Sequence, residues 1–161
     1  MDFFNSACQE APRMDSIFGI CDDNNGTKAY TKTNNSHTWI AIVKNDDQKN
    51  VIFTAIDKCI IKENEEIGRG RCDGMITFNE HLFFIELKDQ AKGWVTEAVN
   101  QLESTIKFFI EFHPNASYKH RKAYACNKRH PHFHEIDNER NLHFFRKYGF
   151  RLDVQAEIIV I

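Results

Sequence analysis

The chain has 161 residues, of which 42% are hydrophobic and 27% charged, a globular rather than disordered composition with enough length for one core. No apolar run reaches the length of a membrane span, and the start (Met1-Asp2-Phe3-Phe4-Asn5) lacks the basic region of a secretory leader, so a cytoplasmic location is expected. The net charge of −2 hides an asymmetry: residues 1–113 carry 12 Lys and Arg against 18 Asp and Glu, whereas residues 114–161 carry nine against five.

In chain order, Phe3–Phe18 is a short amphipathic start interrupted by Pro12, and Cys21–Ser36 is polar, reading as a long loop or frayed strand. A first hairpin is expected from Trp39–Val43 and Val51–Ile56 around a polar turn at Asn45–Asn50. The polar stretch Lys62–Arg71 then leads into Cys72–Phe78, the pair Asn79-Glu80, and His81–Lys88, a second hairpin. Apolar residues at Val95, Ala98, Val99, Leu102, Ile106, Phe109 and Ile110 predict a helix over Lys92–Phe112, ended by His113-Pro114. A strand around Ala123–Cys126, a helix over Asn138–Tyr148 stopped by Gly149, and a closing strand at Val154–Val160 complete the chain. This order predicts an α/β fold with a mixed central β-sheet flanked by helices. One domain over residues 1–161 is expected, with its core at about 39–126 and a C-terminal helix–strand extension at 127–161. Five cysteines (Cys8, Cys21, Cys59, Cys72, Cys126), odd in number and without CxxC spacing, read as reduced, mostly buried thiols.

The second hairpin carries the chemistry. A two-residue turn at Asn79-Glu80 pairs Thr77 with Leu82, Met75 with Phe84, and Asp73 with Glu86, and paired side chains share a sheet face. Lys88, two residues beyond Glu86, shares that face too. The strand Leu82–Leu87 is apolar on both faces until Glu86 appears, as in a sheet interior, where an ionised residue needs a reason to exist. Two adjacent carboxylates repel unless a hard divalent cation neutralises them, and Mg²⁺ binds through one or two carboxylates while keeping positions for water and phosphate. Asp47-Gln48-Lys49 has the same acid-x-Lys spacing but falls in a polar turn with no apolar strand leading to it.

Arg71-Cys72-Asp73-Gly74-Met75-Ile76 followed by Phe84-Ile85-Glu86-Leu87-Lys88 resembles the PD-(D/E)xK nuclease superfamily, which includes many restriction endonucleases, RecB-like nucleases and Holliday-junction resolvases. The resemblance covers about residues 50–126, with Cys72 standing where the name-giving proline would be. It implies a restriction endonuclease-like α-β-β-β-α-β core and a Mg²⁺-dependent nuclease, with Mn²⁺ as a substitute metal. Asp73 and Glu86 would bind the metal and Lys88 would assist the nucleophile. The implied substrate is nucleic acid, DNA ahead of RNA. Gln101 is similar to the glutamine that some RecB-like members carry on the following helix, although Thr105-Ile106 replaces the tyrosine expected after it. Some members add an acid on the first helix, for which Glu10 is a candidate, with Glu63, Glu65 and Glu66 as others.

Arg69 and Arg71 before the hairpin, and Lys119, Arg121, Lys122, Lys128 and Arg129 around the later strand, are candidate nucleic-acid contacts. A chain this short leaves little room for a separate recognition domain, so specificity would come from loops, a homodimer or a partner protein. Two other readings stand beside the nuclease: an inactive nucleic-acid-binding or assembly module on the same fold, and a zinc-stabilised domain using His130, His132, His134 and a cysteine.

Overall fold

A computed structural model describes residues 1–136 and 138–161. It is a mixed α/β structure with two sheets. The strands are β1 (Ile17–Cys21), β2 (Tyr30–Lys32), β3 (Ala41–Lys44), β4 (Ile52–Ala55), β5 (Gly74–Phe78), β6 (His81–Lys88), β7 (His120–Asn127), β8 (Arg151–Val154) and β9 (Glu157–Ile159). Two α-helices, α1 (Val95–Phe112) and α2 (Asn138–Tyr148), follow β6 and β7. One sheet has the order β2-β1-β3-β9 and the other β4-β5-β6-β7-β8. No described helix is long and apolar enough to cross a membrane.

The central strand of the larger sheet is β6, antiparallel to β5 and parallel to β7. Its continuous apolar run is explained by burial on both faces. Leu82 and Phe84 pack toward Ala98, Leu102, Ile106 and Phe109 of α1, whereas Phe83, Ile85 and Leu87 pack toward Phe18, Ile20, Ala41 and Val43 of the smaller sheet. The layers are therefore sheet, sheet and helices. In the smaller sheet Trp39 lies flat against Gly19, where an added Cβ would come within 2.0 Å of the indole ring.

The second hairpin, α1 and α2 stand where the sequence places them. The β5–β6 register runs from Phe78 opposite His81 to Gly74 opposite Ile85, around a turn in which Asn79 has φ of 47°. Asparagine tolerates that left-handed conformation, which two-residue turns demand. Gly149, with φ of 74°, ends α2 and donates its N–H to the Phe145 carbonyl.

Other expectations are corrected. Trp39–Val43 and Val51–Ile56 do not form a hairpin: β3 and β4 lie in different sheets. In the connection between them the buried Asn45 amide bonds both the N–H and the carbonyl of Lys49. The expected closing strand is two strands, β8 in one sheet and β9 in the other, so one mixed sheet becomes two. The leading helix implied by the family resemblance is absent among the described residues. A 3₁₀ turn at Ser6–Cys8 precedes an extended segment whose Glu10 and Arg13 N–H groups donate to Phe53 and Val51 carbonyls along β4. That segment covers an otherwise open sheet edge. The polar stretch after Cys21 contains β2, antiparallel to β1.

The cysteine expectation fails at one pair. Cys8 and Cys59 form a disulfide, their Cα atoms 5.7 Å apart across 51 residues, while Cys21, Cys72 and Cys126 are free and buried. No local spacing announces this pair, because packing of the N-terminal segment on the Ile56–Ile61 turn brings it together. Persisting disulfides belong to oxidising surroundings, so the cytoplasmic expectation gains no support. Peptide mapping without reductant should recover Cys8 and Cys59 in one cross-linked species. Cys8→Ser should lower the denaturant midpoint by the equivalent of about 2–4 kcal/mol.

Candidate active site

Asp73, Glu86 and Lys88 converge. They are 8%, 2% and 8% exposed and line one cleft of about 250 Å³ at the mouth of β5 and β6. The symmetric pairing stops one residue short of Asp73, whose N–H donates to the Ile85 carbonyl at 3.1 Å. The expected direct pairing of Asp73 with Glu86 is thus replaced by a local slip. Both side chains still reach the cleft, because Asp73 Oδ2 accepts the Leu87 N–H at 2.7 Å and so holds its carboxylate over the end of β6.

Lys88 Nζ donates to Gln101 Oε1 at 2.6 Å and lies 3.1 Å from Glu97 Oε1 and 3.4 Å from Glu86 Oε1. Glu97 and Gln101 stand one helical turn apart on α1, so one face of that helix clamps the ammonium. Gln101 also donates from Nε2 to the Arg71 carbonyl at 3.4 Å. Thr105, a turn further on and fully buried, completes the frame. Its hydroxyl donates to the Gln101 carbonyl and accepts the N–H of Cys72, the residue before Asp73, at 2.7 Å. Thr105 therefore ties the strand carrying Asp73 to the helix turn that holds Lys88.

Charge in the cleft is mostly negative, with Lys58 and Lys88 as its lining cations among the described residues. Asp22 and Asp57 line it with Asp73 and Glu86. Burial raises the Asp73 carboxyl to about 7; the Leu87 N–H and Lys88 oppose the rise, and the negative charges of Asp22 and Asp57 reinforce it. Burial also pushes Glu86 well above the usual carboxylate range, helped by Asp73 and Asp57 and countered by Lys88. Desolvation thus outweighs the Lys88 ammonium. One oxygen of Glu86, Oε2, is buried without a hydrogen-bond partner. Such an atom costs free energy unless something occupies its lone pairs. Among the described residues no three His, Cys, Asp or Glu side chains are gathered to hold a metal ion by themselves.

Asp22, Asn24 and Asp57 escaped the sequence reading. Asp57 had a legible signal: like Glu86, it ends an apolar strand, Val51–Ile56. Asp22 and Asn24 had none beyond a polar loop. The proposed extra acids lie elsewhere. Glu10 accepts the backbone N–H and hydroxyl of Thr31, joining the two sheets; Glu65 accepts the Lys62 N–H; Glu66 sits 3.8 Å from Arg69. Glu63 offers its carbonyl to Arg71.

The candidate phosphate contacts divide by position. Arg71 is committed within the protein, to Asp57 at 3.0 Å and to the Lys62, Glu63 and Glu65 carbonyls. Arg69 stacks on Phe108 at 3.6 Å. Lys128 and Arg129 follow the end of β7 beside the cleft, where Arg129 pairs with Asp89 at 2.9 Å. Lys119, Arg121 and Lys122 stand at the opposite end of β7, about 20 Å along the strands from Lys88. There Lys119 pairs with Glu80, Lys122 with Asp153, and Arg121 with the Ala116 and Tyr118 carbonyls. The histidines gather no zinc set among the described residues: His130 bonds the Ala91 carbonyl, and His134 bridges to Val154.

Thr105→Val should destabilise the protein by about 1–3 kcal/mol in chemical unfolding, because it strands the Cys72 N–H in the core. In metal-free buffer, Glu86→Gln should raise the unfolding midpoint, since it removes a poorly compensated buried carboxylate, and Lys88→Met should lower it. Comparison with protein-family models, with characterised proteins and with solved structures finds no match for this chain, so its geometry carries the functional reading.

Proposed function

We propose that the protein is a Mg²⁺-dependent nuclease that hydrolyses phosphodiester bonds, with DNA as the favoured substrate. The observation that carries this reading is the convergence of two buried, under-compensated carboxylates with a clamped lysine in one cleft. A restriction endonuclease-like core is part of the proposal. The run of β4, β5, β6, α1 and β7 has the order that the superfamily resemblance calls for, without its leading helix.

The donor set suits Mg²⁺. Asp73 and the unpartnered Glu86 Oε2 would hold the ion, leaving its remaining positions to substrate oxygens and water. When bound, the ion would supply positive charge that polarises the phosphate and acidifies a water. The chain's own groups do the rest. Lys88 presents a fixed ammonium where negative charge grows on the phosphate and the incoming oxygen, and its clamp by Gln101 and Glu97 removes the cost of orienting it during reaction. The Leu87 N–H fixes the Asp73 carboxylate in the same way. The buried cleft floor limits water, which strengthens each of these interactions.

A second reading, a nucleic-acid-binding or assembly module without catalysis, draws on one observation. Lys88 already contacts three oxygens, as a purely structural lysine would. Cleavage separates the two. With Mg²⁺ or Mn²⁺ the wild-type protein should cut labelled DNA and lose activity in EDTA. Asp73→Ala, Glu86→Gln and Lys88→Ala should each be at least about 100-fold slower while keeping wild-type circular dichroism. Folded variants that cut at the wild-type rate would remove these residues from the mechanism, and an inert wild type would favour the binding module. Mg²⁺ or Mn²⁺ should also raise the melting temperature of wild type but not of Glu86→Gln.

A further inference from the structure

Next to the candidate cleft, along the first turns of α1, lies a second, larger groove of about 670 Å³, lined by Gly68, Arg69, Gly70, Thr96, Asn100 and Gln101 among others. It is shallow and wide open to solvent. Gln101 lines both spaces, and it and Glu97, which also lines the groove, both contact Lys88. We propose that this groove takes one unpaired nucleotide next to the scissile phosphate, and that Arg69 holds its phosphate. This inference rests on the nuclease reading and adds a substrate form, single-stranded nucleic acid.

Three features support it. First, Arg69 is the one cationic side chain of the groove wall among the described residues, and its guanidinium is braced 3.6 Å above the Phe108 ring. A braced guanidinium loses little freedom when it binds a phosphate. Its one acidic neighbour, Glu66, is 3.8 Å away, a loose pair that a phosphate would outcompete. Second, the groove's own acid, Glu97, is engaged by Lys88 at 3.1 Å, which blunts its repulsion of a polyanion. Third, two glycines of the wall are uncovered. Gly68 and Gly93 adopt φ of 85° and 71°, and nothing lies within 4 Å of where a Cβ would stand. Backbone is thus exposed for close approach by a ligand. Asn100 and Thr96 add an amide and a hydroxyl suited to a base edge or sugar. A groove with one cation and this volume fits one strand rather than a duplex, whose two backbones would each need basic contacts.

The test uses short labelled DNA and RNA single strands and the matching DNA duplex, with binding read by anisotropy in Ca²⁺ and cleavage in Mg²⁺. Single strands should bind more tightly than duplex. Arg69→Ala and Asn100→Ala should each raise Kd and KM about 10-fold with kcat within about twofold. Arg69→Lys should recover part of the loss, and Arg69→Ala should lower the salt slope of binding by about one. Lys44→Ala, an exposed charge change on the smaller sheet, should leave binding unchanged. Cleavage that proceeds with wild-type KM in both Arg69→Ala and Asn100→Ala overturns the groove and leaves the nuclease standing. Arg69-dependent binding by a wild type that cuts nothing sustains the groove and overturns the nuclease. Absence of binding to every probe overturns the groove.

Discussion

The rest of the structure is arranged around a buried charge problem at the end of β6. Glu86 is almost fully enclosed, its neighbour Asp73 carries the same sign, and Lys88 is the cation that opposes the rise at both. Taking such groups out of water costs several kcal/mol per ion, and one ammonium shared with Glu97 does not return it all. Stability alone would favour apolar residues here. A site that retains under-compensated carboxylates stores an affinity for positive charge, and that stored affinity is what a divalent cation would release.

The frame that tolerates this problem comes from three elements that also build the core. The apolar residues of α1 fasten it to β6, so Glu97 and Gln101 arrive over Lys88 as part of a helix already held by Ala98, Leu102 and Ile106. Thr105 then links that helix to the backbone beside Asp73 through one buried hydroxyl. Arg71, by gathering three carbonyls and Asp57, shapes the loop that precedes Asp73 and walls the second groove. Positioning of the candidate site is therefore inseparable from helix–sheet packing, which fixes its side chains through the same contacts that build the core.

Two supports lie further out. The smaller sheet closes the outer face of the larger one, and the loop after β1 brings Asp22 and Asn24 to the cleft. The disulfide from Cys8 to Cys59 and the Glu10–Thr31 contacts pin the N-terminal segment along β4, beside the turn that carries Asp57. Long-range links of this kind have no local sequence signature. They explain why the reading from sequence missed them while placing the β5–β6 hairpin.

What the sequence determined by itself was local. The apolar run through Leu82–Leu87 and the Asn79-Glu80 turn specified a buried central strand, and with it the common face of Glu86 and Lys88, because side chains alternate along a strand. The 3.6-residue spacing specified α1, and Gly149 the end of α2. Tertiary structure decided the remainder: the assignment of β3 and β4 to separate sheets, the slip that aims Asp73, the approach of Asp22 and Asp57, and the clamp on Lys88. Each depends on which surfaces pack together across tens of residues, and periodicity carries no information about that.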